Sequence, residues 1–137
     1  MAKLYESGEN YLETILVLHL HDNYVRAVDI AREMDVSKPS VSRAMGILRD
    51  GGFINIAEDG NITLTDSGTE VAERIYERHC VLTQWLIDLG VKPETAAEDA
   101  CRMEHVISAE SFGCLKAHLR DAHPNVELKR IHKARKK

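Results

Sequence analysis

The chain has 137 residues, 44% hydrophobic and 29% charged, with a formal net charge of −4. That length buries about two-thirds of the unfolded chain's surface, enough for a core without disulfide staples, and no apolar run approaches the ~18–20 residues of a membrane span. Three scattered cysteines with no CxxC pair, and no apolar block after Met1, exclude a secreted disulfide scaffold and point to a cytoplasmic protein.

Residues 5–21 have a helical period. Leu4, Tyr11, Ile15 and Leu18 form one side, and Leu12, Leu16 and Leu20 widen the stripe. Glu9, Asn10 and Glu13 lie on the flank, either as a solvated acidic edge or as a set of oxygen ligands. Asp22-Asn23 is a turn signal, and Ala27 to Met34 reads as a short helix with Val28, Ile30, Ala31 and Met34 apolar. Asp35-Val36-Ser37 is a tight connection. Ser37 suits an N-cap, and Pro39 is tolerated in the first turn of the helix that runs to Arg49 and stops at Gly51-Gly52.

Two short helices across a three-residue turn form the helix-turn-helix pattern. Ala31 is the small residue at the crossing, and Ile30, Val36 and Val41 fill the packed positions. Ser37, Lys38, Ser40, Ser42 and Arg43 make a polar outer face with no acidic side chain between Val36 and Arg49. A plain helical hairpin in a bundle is the bland alternative, but the next segment favours DNA binding. Residues 53–57 and 61–65 alternate apolar and polar around the loop Glu58-Asp59-Gly60. A hairpin there is the wing of a winged helix. The net charge argues weakly against nucleic acid, yet where charge lies matters more than its sum.

Thr65 or Asp66 can cap a helix over about residues 67–89, with Val71, Ala72, Ile75, Leu82, Leu86 and Leu89 on its core side. His79 falls among them and by itself reads as a satisfied core histidine. Gly90 ends that helix, and Pro93 opens another reaching about Ser108, with Ala96, Ala100, Met103 and Ile107 as its stripe. Beside the stripe, Cys101, Glu104 and His105 stand at i, i+3 and i+4. A thiolate, a carboxylate and an imidazole on one helical face make one wall of a divalent-metal site. A last helix over about residues 110–122 carries Phe112, Leu115 and Leu119, and Pro124 terminates it. The last nine residues hold six Lys or Arg, a solvated tail or a DNA-backbone arm. The expected fold is mostly α: a winged helix-turn-helix with a two-stranded β wing over residues 1–65, an all-helical domain over 66–124, and a basic tail over 125–137.

Over residues 4–122 the sequence resembles the diphtheria-toxin-repressor family of metal-dependent transcription regulators. The resemblance rests on Asn10-Tyr11-Leu12-Glu13-Thr14-Ile15, Asp29-Ile30-Ala31, Ser37-Lys38-Pro39-Ser40-Val41-Ser42, Arg78-His79 and Ala100-Cys101-Arg102-Met103-Glu104-His105-Val106-Ile107-Ser108. It looks like the two-domain form without the SH3-like domain. The resemblance implies a metal site of Asn10, Glu13, His79, Cys101, Glu104 and His105, and so turns His79 from core residue to ligand. Position 10 is Asn where the manganese branch has Asp and the iron branch Met. Position 101 is Cys as in the iron branch, where the manganese branch has Glu. Thr83 and Ala97 replace ancillary ligands of the iron branch, which speaks against a second site like theirs. Cys80 and Cys114 are read as buried small side chains, and His19, His21, His118, His123 and His132 as surface residues.

The function this implies is a homodimeric repressor of metal-uptake genes with a divalent metal as corepressor. A metal shared by the two domains would fix their angle, and so the spacing of two recognition helices on a palindromic double-stranded operator. A thiolate among hard and borderline donors favours Fe²⁺ over Mn²⁺, with Zn²⁺, Co²⁺ or Ni²⁺ possible in vitro. Ser37, Pro39, Ser40 and Arg43 are candidates for base edges, and Arg26, Lys38, Ser42 and Arg49 for phosphates. No membrane or organic substrate is implied. An enzyme is not expected, because there is no H-E-x-x-H helix and no nucleotide loop. The alternative is a metal-independent winged-helix regulator sensing a small molecule.

Overall fold

The computed structural model describes residues 6–122, in the order α1 (Glu6–His21), α2 (Ala27–Met34), α3 (Lys38–Asp50), β1 (Ile54–Ile56), β2 (Ile62–Leu64), α4 (Asp66–Asp88), α5 (Pro93–Met103) and α6 (Ala109–Ala122). The mostly helical fold with a two-stranded sheet is as expected. Leu4, His123, Pro124, His132 and the basic run lie outside the described residues. Two compact units, Met1–Arg74 and Ile75–Lys137, divide within α4.

In the first unit, α1 buries Leu12, Ile15 and Leu16 against α2, α3 and β2. Asp29 Oδ2 accepts the Arg26 N–H at 2.9 Å and so caps α2. Asp35 turns the chain through the left-handed region, φ 54° and ψ 50°, and the Val36 N–H donates to Ala31 O. That conformation costs little for Asp, whose short polar side chain tolerates it. Ser37 then caps α3, its Oγ accepting the Ser40 N–H at 3.3 Å. Ile30, Ala31, Val41, Met45 and Leu48 are buried, as the helix-turn-helix pattern requires. Val36 is not: expected among the packed residues, it is 37% exposed, because it sits on the turn just beyond the left-handed residue.

The hairpin pairs Ile54 with Leu64, Asn55 with Thr63 and Ile56 with Ile62, antiparallel. Ile54 and Ile62 are buried. A hairpin this short needs outside support, and α1 and the segment before α2 supply it. The Ile62 N–H donates to Val25 O at 2.7 Å, and the Val25 N–H donates to Asn61 Oδ1 at 3.0 Å. The half-buried His19 ring nitrogen Nε2 meets Ile62 O at 2.6 Å. His19 is therefore an anchor of the wing rather than the surface residue expected. Thr65 Oγ1 accepts the Gly68 N–H and donates to Gly52 O, which fixes the start of α4 over the end of the α3 turn. A Cβ on Gly68 would lie 2.0 Å from Phe53 O, so only glycine allows this approach.

The second unit packs the later part of α4 with α5 and α6. Val81, Phe112 and Leu119 form its core cluster, with Trp85, Ile107 and Leu115 against them. At the end of α4, Gly90 takes φ 104° and the Val91 N–H returns to Leu86 O. Leu89, expected on the core side, lies past the last helical residue and is exposed. Pro93 opens α5, which buries Ala96 and Ala100. It ends at Met103, earlier than the expected Ser108: the N–H groups of Val106 and Ile107 both turn back to Met103 O, and Ser108 Oγ accepts the Ser111 N–H at the start of α6. Cys80 is half-buried, but Cys114 is exposed, off the stripe of Phe112, Leu115 and Leu119.

Gly68→Ala forces the Phe53 carbonyl or α4 to move, and should cost about 3 kcal/mol, the upper end for overpacking. Urea unfolding checks this: a lower midpoint with an unchanged slope is expected, and a wild-type midpoint would show that the backbone yields.

Candidate metal centre and DNA-reading helix

The second unit brings together His79, Glu104 and His105. His79 projects from α4. Glu104 is the C-cap residue of α5 and keeps helical dihedrals, φ −61° and ψ −23°, while His105 follows in the turn. The sequence-expected spacing thus survives at Glu104 although the helix stops there. Glu104 is 0% exposed, a charged side chain withdrawn from water. A bare carboxylate out of water is costly unless it is paired and hydrogen-bonded.

Each of its oxygens faces an imidazole. His79 Nδ1 lies 3.0 Å from Oε2, in hydrogen-bond geometry. His105 Nε2 lies 3.4 Å from Oε1, close enough for an ion pair. That second approach does not meet hydrogen-bond geometry, and Oε1 has no hydrogen-bond partner. The His105 side chain is 1% exposed. A buried carboxylate with an imidazole nitrogen near each oxygen, one of the oxygens without a donor, is an arrangement that a divalent cation satisfies and that a hydrogen-bonded core does not need. The residues present therefore fit a metal.

The other sequence-predicted ligands are placed as follows. Asn10 and Glu13 lie one turn apart on α1 in the first unit, both half-buried. Cys101 occupies the last turn of α5 and is exposed, unlike Glu104 three residues on. Arg78 precedes His79 on α4, in a pair that the sequence resemblance includes. It donates from Nη1 to Glu104 O at 3.1 Å and to Ile107 O at 2.6 Å. No local pattern in the sequence announces that role.

In the first unit, Ser37, Lys38, Pro39, Ser40, Ser42, Arg43 and Arg49 are all exposed, along the cap and outer face of α3. Ser37 Oγ and Ser40 Oγ are hydrogen-bonded at 2.8 Å. Arg26 is exposed beside the wing, its guanidinium 5.2 Å from the Tyr24 ring centroid. The Tyr24 hydroxyl in turn donates to Asp59 O in the wing loop. Ile47, an apolar residue outside the helix's packed stripe, is 66% exposed on the same helix.

A winged helix-turn-helix with a hydroxyl- and Arg-rich second helix, followed by a helical unit holding a buried carboxylate between histidines, defines a metal-binding, DNA-binding regulator of two domains. Residues 3–62 match the domain described as iron dependent repressor, N-terminal DNA binding domain, and residues 65–131 match iron dependent repressor, metal binding and dimerisation domain. The chain belongs to this iron-dependent repressor family, the diphtheria-toxin-repressor family of metal-dependent transcriptional repressors. It is 35% identical over 109 residues to transcriptional regulator MntR of Salmonella typhimurium, covering 80% of this chain and 69% of that one. It is 31% identical to an uncharacterised HTH-type transcriptional regulator of Methanocaldococcus jannaschii, covering 81% of this chain and 90% of the relative. Among solved structures it is similar to the manganese regulator SloR, with TM-score 0.75 and 26% identity over 88% of this chain and 55% of that one. The chain thus spans about half the length of that solved relative.

His79→Ala removes the donor to Glu104 Oε2, and should cost the metal-free protein about 1–3 kcal/mol for the stranded buried acceptor. Glu104→Gln keeps an acceptor for His79 and should cost less. Guanidinium denaturation in chelator ranks the two, and the opposite order would mean that the His79 contact contributes little to the fold.

Proposed function

We propose that this protein is a metal-activated repressor: a homodimer that binds palindromic operator DNA when a divalent cation occupies a site made by Asn10, Glu13, His79, Cys101, Glu104 and His105. The observation that carries the reading is the buried Glu104 carboxylate, with an imidazole at each oxygen and no hydrogen bond at Oε1. His79, Glu104 and His105 supply two nitrogens and a carboxylate from the second unit. The family resemblance supplies the rest: Asn10 and Glu13 of α1 as oxygen donors, and Cys101 as a thiolate. The bound cation supplies a compact double positive charge that these donors share.

Donors from both parts of the chain link metal affinity to DNA affinity, reciprocally, by a term typically of ~1–3 kcal/mol. On DNA, Ser37, Pro39, Ser40 and Arg43 read base edges, and Arg26, Lys38, Ser42 and Arg49 hold phosphates. The regulated genes are those of metal uptake, and the protein acts in the cytoplasm beside its operator.

The favoured metal is Fe²⁺, on the strength of the thiolate at position 101 and the family's description as iron dependent. The exposure of Cys101 favours a second reading: if its sulfur stays outside the shell, the remaining oxygen and imidazole donors suit Mn²⁺, the metal named for SloR.

Operator binding, measured anaerobically on a duplex selected from random sequence, should disappear in chelator and return with metal. Wild type should respond to Fe²⁺ at a lower free concentration than to Mn²⁺, and Cys101→Ala should narrow or reverse that order. Binding indifferent to chelator would replace this reading with a metal-independent regulator, and a Cys101→Ala response equal to wild type for every metal would remove the thiolate from the site. Arg43→Ala should cost about 1–3 kcal/mol and relax preference at one operator position, while Lys38→Ala should weaken all sequences alike. Competition among variant duplexes separates these outcomes.

A further inference from the structure

The turn that carries Glu104 and His105 returns its N–H groups to the end of α5, Glu104 to Ala100 O and Val106 and Ile107 to Met103 O, which leaves its own carbonyls to be met from elsewhere. Val106 is 78% exposed, so its side chain adds no burial to the turn. The turn lies at the C-terminus of α5, where helix carbonyls lose their intrahelical partners. Two carbonyls of the segment, Glu104 O and Ile107 O, are met by one guanidinium nitrogen, Arg78 Nη1, at 3.1 and 2.6 Å. The same guanidinium lies 5.4 Å from the Phe112 ring centroid in the core of the second unit, and its Nε is buried without a partner. Arg78 immediately precedes His79. Adjacent residues of α4 thus grip the same turn, one by its backbone and the other by the Glu104 carboxylate.

We propose that Arg78 is a positioning residue for the metal centre: by bridging the carbonyls of Glu104 and Ile107, it holds the donor turn in its binding geometry before metal arrives. This rests on the metal-activated reading above. A planar guanidinium suits the task because its donors are fixed in one fork, whereas a lysine ammonium has no such fixed geometry. Partners of this kind, which touch the ligand residues rather than the metal, typically change metal affinity ~10–100-fold when removed. Phe112 and Ile107 tie the clamp to the apolar cluster, so the turn is set by tertiary packing and not by helix propensity.

The test uses the full chain as Arg78→Ala, Arg78→Lys and Leu119→Ala. The last loosens the same core at a residue of α6, outside the turn itself. Three quantities are measured: Mn²⁺ affinity by calorimetry, the melting temperature, and hydrogen exchange of the Val106 and Ile107 amides in metal-free protein, relative to amides inside α6. Arg78→Ala should bind Mn²⁺ at least tenfold more weakly, and its two turn amides should exchange at least tenfold faster. Arg78→Lys should recover thermal stability more than metal affinity. Leu119→Ala should lower the melting temperature while leaving affinity within about threefold. If Arg78→Ala fails to fold, Arg78→Lys carries both measurements. Wild-type exchange at the turn in the Arg78 variants overturns the proposal, as does an equal affinity loss in Leu119→Ala. Absence of both Mn²⁺ binding and anaerobic Fe²⁺ binding in wild type, with turn exchange still dependent on Arg78, defeats the metal reading and leaves the clamp standing.

Discussion

The second unit is organised around one carboxylate withdrawn from water. Glu104 is fully buried, and its charge has to be met by nearby groups. His79 meets one oxygen with a hydrogen bond, and His105 approaches the other without making one. Glu104 holds this position with helical dihedrals just past the end of α5, its N–H still donating to Ala100 O, and the turn that follows has further partners. Arg78 and the Ser108 cap provide them. An apolar residue at position 104 would make an ordinary core. The glutamate makes a pocket with unspent acceptor capacity, which is the property a cation site needs.

The first unit obeys a different constraint: close backbone approach. The left-handed Asp35, the Ser37 cap and the buried crossing at Ile30, Ala31 and Val41 set the two helices of the DNA-reading motif. The wing has two strands of three residues, and without outside hydrogen bonds it would not persist. His19, Val25 and Asn61 pin one side, and Thr65 and Gly68 lock the chain where it leaves the sheet. The result leaves the outer face of α3 uncommitted to packing. Its charge is local: the chain is net acidic, yet from Lys38 to Arg49 the only charged side chains are basic. A field of that kind is felt within about a Debye length, ~8–10 Å at physiological salt, so the face and not the sum governs how DNA is met.

Much of the fold was legible in the chain because its causes are local. Apolar spacing of three and four marked the helices, alternation marked the hairpin, and Ser37, Gly51-Gly52, Gly90 and Pro93 marked their ends. At the candidate site, the spacing from Glu104 to His105 and the position of His79 in α4 were visible in the same way. Two of the misses share one cause: Leu89 and Val36 are exposed because element ends and turns rotate a residue off the face that a regular period assigns to it, whereas Cys114 lies within α6 beside its apolar stripe.

What the sequence by itself determined is therefore the order of the elements, the helix-turn-helix and wing, and the donor types available to a metal. The tertiary structure decided that the Glu104 carboxylate is buried between His79 and His105, that Cys101 is exposed in the last turn of α5, and where α5 stops. It also gave His19, Gly68 and Arg78 their tasks, since their partners lie 43, 15 and 26 residues away: Ile62, Phe53 and Glu104. A helix period reports neighbours three or four residues along the chain. A carbonyl that needs a donor, or a backbone that needs room, is answered from wherever the fold brings a partner, and that is settled only when the chain has packed.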